Sequence, residues 1–175
     1  MSPPGRAWHL VRRFAGSLRP GPPAGPDERW AESHLGPGER ELWRRLSNPD
    51  RRHAVGVARG VVAALGPAAS RPVVAAALLH DVGKVVAGYR TPARVVATVV
   101  WAVVPDQRAD RWLARGRPWR RLAQHRRHPE LGAALIRQAG GAELTATWAA
   151  EHHRPPVRWT VPRDVAVVLK ACDDD

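Results

Sequence analysis

In Ala75-Ala76-Ala77-Leu78-Leu79-His80-Asp81-Val82-Gly83-Lys84 a wholly apolar segment runs into an imidazole beside a carboxylate, then a glycine, then one of only two lysines in the chain. Ser70 and Pro72 upstream are helix-start residues and Gly83 is a stop, so the spacing predicts a helix reaching His80. A helix that is apolar all round is a buried helix. Its end therefore carries His80 and Asp81 into low-dielectric surroundings, where each needs a partner: the other, a further side chain, or a metal ion. By themselves the two residues fit a buried hydrogen-bonded pair tying two helices together as well as they fit a metal site.

The same punctuation recurs on both sides of this stretch. Asn48-Pro49-Asp50 opens a helix to about Leu65, closed by Gly66-Pro67, and His128-Pro129 opens one to about Ala139 ahead of Gly140-Gly141. Thr91-Pro92 opens the run Val95 to Val104, whose β-branched residues suit a strand but whose Thr-Pro start and Pro105 stop favour a helix. Pro162 opens a last helix to the C-terminal residues, and further helices are expected over Glu39 to Leu46, Asp106 to Arg115, Pro118 to Arg127 and Ala142 to His153. With no repeat at a fixed period, the expected fold is all-α, a helical bundle.

Composition bounds what such a bundle can do. A chain of 175 residues, 44% hydrophobic and 25% charged, is globular and can bury about 70% of the surface its unfolded form exposes. The single cysteine excludes a disulfide framework and a thiolate zinc site and makes a reducing, cytoplasmic setting the default. Val95 to Val104 is about half the length needed to span a bilayer. Arg12 and Arg13 interrupt any apolar signal segment. The net charge of +12 is almost wholly arginine, since Lys84 and Lys170 are the only lysines among 28 basic residues. Arginine spread through every segment reads as a solvated surface, so a nucleic-acid partner is not expected.

Residues 1–38 hold seven prolines and six glycines, densest in Pro20-Gly21-Pro22-Pro23-Ala24-Gly25-Pro26. They read as a linker of extended backbone, with the folded domain expected over 39–175. Ahead of the linker, Arg6 to Arg19 can form a short amphipathic helix with Trp8, Leu10, Val11, Phe14, Ala15 and Leu18 on one side and basic residues on the other. Such a helix docks on its own domain or lies weakly on a membrane surface.

Five of the eight histidines, His53, His80, His128, His152 and His153, sit within or at the end of predicted helices, whereas His9, His34 and His125 read as surface residues. His53 flanks the apolar face of Val57, Ala58, Val61, Ala64 and Leu65. A packed core has little use for so many imidazoles and a buried carboxylate, but a metal centre does. The C-terminal helix offers a further acid. With Val165, Val168, Leu169 and Cys172 as its apolar face, Asp173 falls about 90° from the face centre and Asp174 about 170° away, so Asp173 is the inward candidate.

The order His53, then His80-Asp81, then a late Asp resembles the metal-dependent phosphohydrolases of the HD superfamily. Leu78 to Lys84 is similar to that family's central motif. His128-Pro129-Glu130-Leu131-Gly132 and His152-His153 resemble the extra histidines of its multi-metal branch, and Leu169-Lys170-Ala171-Cys172-Asp173 resembles its last motif. The resemblance implies an HD-type helical bundle in which His53, His80, Asp81 and Asp173 hold one divalent metal. Asp81 would bridge to a second ion held by His128 and His152, with His153 as an additional ligand. It also implies hydrolysis of a small phosphorylated substrate such as a nucleotide through a metal-bound hydroxide, with Lys84 on a substrate phosphate. Histidine and carboxylate ligands suit iron, manganese, zinc and nickel alike, and magnesium is a further candidate.

His152-His153 runs into Arg154-Pro155-Pro156 and lacks the Gly-Tyr-Pro signature of the family's cyclic-di-nucleotide phosphodiesterases. The motif layout is nearer the bacterial branch resembling symmetrical diadenosine tetraphosphate hydrolases. Arg126, Arg127 and Arg154 are candidate substrate contacts and Trp119 and Trp159 candidate stacking surfaces, although each singly also fits an ordinary surface or packing role. Three competing readings stay open: a non-catalytic metal-holding or regulatory module, a di-iron oxygenase on the same fold, and a basic nucleic-acid-binding protein.

Overall fold

The computed structural model describes residues 21–87, 116, 119 and 126–174. The helices expected over Arg6 to Arg19, Val95 to Val104 and Asp106 to Arg115, and most of that over Pro118 to Arg127, lie outside the described residues, as do His9 and His125. In chain order, α1 spans Gly25–Ser33, α2 Pro37–Arg45, α3 Asn48–Leu65, α4 Arg71–Leu79, a short α5 Lys84–Ala87, α6 His128–Gln138, α7 Glu143–Glu151 and α8 Arg163–Asp174. Single 3-10 turns lie at Gly66–Ala68 and Pro156–Arg158. Among the described residues there is no strand, and the fold is all-α as expected.

Local chemistry accounts for the helix ends. Ser47 caps α3, its hydroxyl oxygen accepting from the Asp50 N–H at 3.4 Å, with Pro49 in the first turn, where no N–H is missed. At the end of α6, Gly140 turns the chain with φ +73°, a conformation that costs glycine little, and the Gly141 N–H closes onto the Ile136 carbonyl at 2.9 Å.

The bundle is organised around α4. Every residue from Val73 to Leu79 is buried, as expected for a helix with no polar face. Helices α3 and α7 pack along it, α8 lies on α3 and reaches α4, and α6 lies on α7 and against α5. The outer helices bury single stripes: Ala54, Val55, Val57, Ala58 and Val61 on α3, and Ala166, Leu169 and Asp173 on α8. The second of these stripes carries Asp173 inward on the same spacing that buries Leu169.

The N-terminal boundary requires a correction. The expected linker ends before α1, and the packed structure begins ahead of residue 39: Ala31, on α1, and Leu35, in the turn after it, are fully buried in the core. Glu28 ties α1 to its neighbours, accepting at one oxygen from the Trp43 indole N–H at 2.8 Å and the Arg51 guanidinium at 2.6 Å. Pro26 belongs to the first turn of α1, followed by Asp27 and Glu28 where acids suit the helix dipole, so a proline counted as a linker residue is a helix opener. His34 is half-buried against Trp30, with ring centroids 4.6 Å apart, rather than a plain surface residue.

If residues 25–38 are part of the core, Leu35→Ala lowers the unfolding free energy by about 2–4 kcal/mol in urea titration. A tether would lose less than about 0.5 kcal/mol from the same change.

Candidate metal centre

The last turn of α4 delivers His80, 2% exposed, and the turn that follows delivers Asp81, also buried. The His80 Nδ1–H donates to the Ala77 carbonyl at 2.9 Å, which leaves Nε2 as the acceptor nitrogen of the neutral ring. That Nε2 lies 3.5 Å from Asp81 Oδ2 and 3.5 Å from Asp173 Oδ1. From α3, the His53 Nε2 reaches the same Asp173 oxygen at 3.0 Å.

A second group meets the other oxygen of Asp81. His128, the first residue of α6, brings Nε2 to 3.5 Å from Asp81 Oδ1, and His152, at the end of α7, brings its own to 3.6 Å. The His152 ring is set like that of His80, its Nδ1–H donating to the Ala149 carbonyl at 2.9 Å. His153 stacks beside it, with ring centroids 3.9 Å apart. Lys84, on the first residue of α5, forms an ion pair with Asp81 Oδ2.

Close backbone approach makes this convergence attainable. A Cβ on Gly83 would lie 1.8 Å from the His128 carbonyl oxygen and 2.7 Å from the Gly132 nitrogen. Only the absence of side chains there lets the turn after Asp81 rest on the first turn of α6, which sets His128 opposite Asp81.

Most of these separations exceed a good hydrogen bond, so the side chains face a common space more than they bond to one another. Nε2 of His80, Nε2 of His152 and Oδ1 of Asp81 are buried with no hydrogen-bond partner among the described residues. Such atoms are costly when unsatisfied. Cation ligation satisfies lone pairs of this kind, and the chain groups its potential ligands accordingly: His53, His80 and Asp173 in one set, Asp81, His128, His152 and His153 in the other. Within each set the ligand atoms lie within 4.8 Å of one another. The donors present therefore fit divalent metal.

The charges agree with that fit. Burial opposes ionisation of Asp81, but Lys84 and His80 outweigh it and hold its pKa well below the usual carboxylate value. Burial likewise opposes ionisation of Asp173, and the hydrogen bond from His53 with the nearby His80 overcomes it, so this pKa too is lowered. Burial works against a charged His80, yet Asp81 and then Asp173 raise its pKa on balance, the sign of two carboxylates that attract a cation to this spot. On the other side burial lowers the pKa of His152, and His153, though its side chain is exposed to solvent on one side, is desolvated by its packed neighbours and lowered to about 3, with His152 and His128 adding to the shift. Both rings are neutral near pH 7, the form in which imidazole ligates metal.

All seven residues read from the sequence as metal-ligand candidates thus converge, and Lys84 joins them through Asp81. Asp174 is exposed and pairs with Lys170, in keeping with the choice of Asp173. Arg126 and Arg127 are exposed just ahead of α6, and Arg154 is exposed too, 3.9 Å from Glu151. Trp119 is exposed, whereas Trp159 packs edge-on against Trp148 with centroids 5.6 Å apart and donates its indole N–H to the Arg154 carbonyl, a packing role. Sequence reasoning passed over Glu151, a buried acid on the last residue of α7. Its only signal was its place directly before the two histidines.

A family model for the HD domain matches residues 51–174, a span that encloses every residue of the cluster. No curated protein and no solved structure matches the chain.

The close approach at Gly83 predicts that Gly83→Ala costs about 2–3 kcal/mol in chemical denaturation. Gly56→Ala is the control: its added Cβ meets no atom within 4 Å, and the helix interior should gain up to about 1 kcal/mol. Equal stabilities for the two variants would contradict the packing described.

Proposed function

The chain belongs to the HD domain family, and we propose that it is a metal-dependent phosphohydrolase acting on a nucleotide or another small phosphoester. The observation that carries this reading is the pair of buried Nε2 atoms on His80 and His152, without a hydrogen-bond partner among the described residues and facing the two oxygens of one ionised carboxylate. His53, His80 and Asp173 would hold one divalent ion and His128, His152 and His153 a second, with Asp81 between them. Bound there, such ions supply Lewis-acid activation of water and stabilisation of the charge that develops on a phosphoryl group.

The chain's own residues have distinct tasks in this reading. The backbone carbonyls of Ala77 and Ala149 hold the rings of His80 and His152 in the tautomer that turns an acceptor nitrogen inward. Lys84 is half-buried with its ammonium on Asp81, within reach of the same space. A substrate phosphate arriving there would meet a compact cation already in place. Arg126, Arg127 and Arg154, exposed and close in the chain to His128, His152 and His153, would add positive charge near the site and draw anionic substrates toward it. The absence of the Gly-Tyr-Pro signature argues against cyclic dinucleotides as substrates.

The test pairs metal analysis with phosphoester cleavage. Protein purified without chelator should contain a divalent transition metal by mass spectrometry and hydrolyse members of a nucleotide and phosphoester panel, read as phosphate or as the phosphomonoester or nucleotide product. His80→Ala and Asp81→Ala should lose metal and about 1000-fold in rate, the several kcal/mol that Lewis-acid stabilisation supplies. Lys84→Ala should keep its metal and raise KM about 10-fold or more, as expected for one lost charge-assisted phosphate contact. Metal retained with no phosphoester bond cleaved in any panel member would overturn the hydrolase in favour of a metal-holding module. Oxygen-dependent turnover without phosphoester cleavage would do so in favour of an oxygenase.

A further inference from the structure

The most unusual buried charge outside the cluster is Glu151, 4% exposed on the last residue of α7. A helix C-terminus carries partial negative charge, so a buried carboxylate there opposes the macrodipole and is a poor choice for stability alone. Both its oxygens are nevertheless committed to one residue across a loop. Oε2 accepts the Thr160 backbone N–H at 2.7 Å and Oε1 accepts the Thr160 hydroxyl at 2.9 Å.

The loop so closed begins with His152 and His153. Near its start, the Arg154 N–H donates to the Glu151 carbonyl at 2.7 Å. Near its end, Trp159 donates to the Arg154 carbonyl at 3.0 Å and packs on Trp148, and Val161 is buried just beyond Thr160. His152 caps the helix and is held by Ala149, but His153 lies past the helical hydrogen-bond ladder. Its direction depends on the path of the loop, and that path is pinned at both ends to Glu151.

We propose that Glu151 is a positioning residue: by clamping Thr160 it fixes the loop that aims His153, and secondarily His152, at the space beside Asp81. The inference rests on the metal reading above and on nothing about the substrate. Outer groups that orient metal ligands typically contribute 10–100-fold to metal affinity, whereas a merely structural clamp would alter folding stability and leave metal binding unchanged.

The experiment titrates the full chain, stripped of metal by chelator, with Co(II) and reads the visible absorption. Glu151→Ala should bind about 10–100-fold more weakly with a changed spectrum. Glu151→Gln, whose amide oxygen still accepts the Thr160 N–H and whose amide N–H can donate to the hydroxyl, should stay within about 3-fold of the wild type. Thr160→Val, which keeps only the backbone bond, should fall between them. Wild-type affinity and spectrum in Glu151→Ala would overturn the proposal whatever the loss in melting temperature. Should Glu151→Ala not fold, Thr160→Val decides: weaker Co(II) binding supports the clamp, and unchanged binding overturns it. A wild type that binds no Co(II) removes the metal reading and this inference together. Tight binding with no phosphoester cleaved removes only the hydrolase.

Discussion

A carboxylate carried into the interior on the end of an apolar helix cannot stay ionised alone, and the surroundings of Asp81 are built to meet that constraint. Lys84 and four imidazoles approach it from α3, α4, α5, α6 and α7, directly or through Asp173. The consequences reach the backbone. The turn after Asp81 must lie on the start of α6, and this is why Gly83 and Gly132 face each other with no room for a side chain between them. Packing and electrostatics are here one problem: moving either helix would leave buried charge without compensation.

The centre is electrically uneven. Around His80 two ionised carboxylates favour positive charge, whereas around His152 and His153 burial and mutual repulsion favour neutral rings. The cluster therefore attracts cations locally although the chain as a whole carries +12. These fields act at different ranges. The arginine-rich surface acts on anions at distances of about a Debye length, while the buried acids act within a few ångströms in low dielectric. Anions and cations are thus attracted to different parts of one protein by separate means.

Helix boundaries were largely legible because they rest on local chemistry. The openings at Asn48-Pro49 and His128-Pro129 and the glycines behind each helix mark both in the sequence, and the structure places α3 and α6 over Asn48–Leu65 and His128–Gln138. The choice of Asp173 over Asp174 is equally local, a matter of helical angle from the centre of the face made by Val165, Val168, Leu169 and Cys172. Proline was the ambiguous signal. Pro26, read as part of an extended linker, opens α1 instead, and only the burial of Ala31 and Leu35 shows that the chain is already packed there. Glu151 escaped notice because its partner, Thr160, lies across a loop rather than one helical turn away.

The amino-acid sequence alone determined the helical class, the family and the residue types able to ligate metal, because each follows from short-range periodicity or from a local motif. Only the tertiary structure decided that His53 and Asp173, 120 residues apart, lie 3.0 Å from one another, and that the histidines divide into two groups around one carboxylate. The reason is physical. A helix's period tells which residues share a face, but which faces meet, and how closely, depends on side-chain volumes and backbone approach summed over several helices at once.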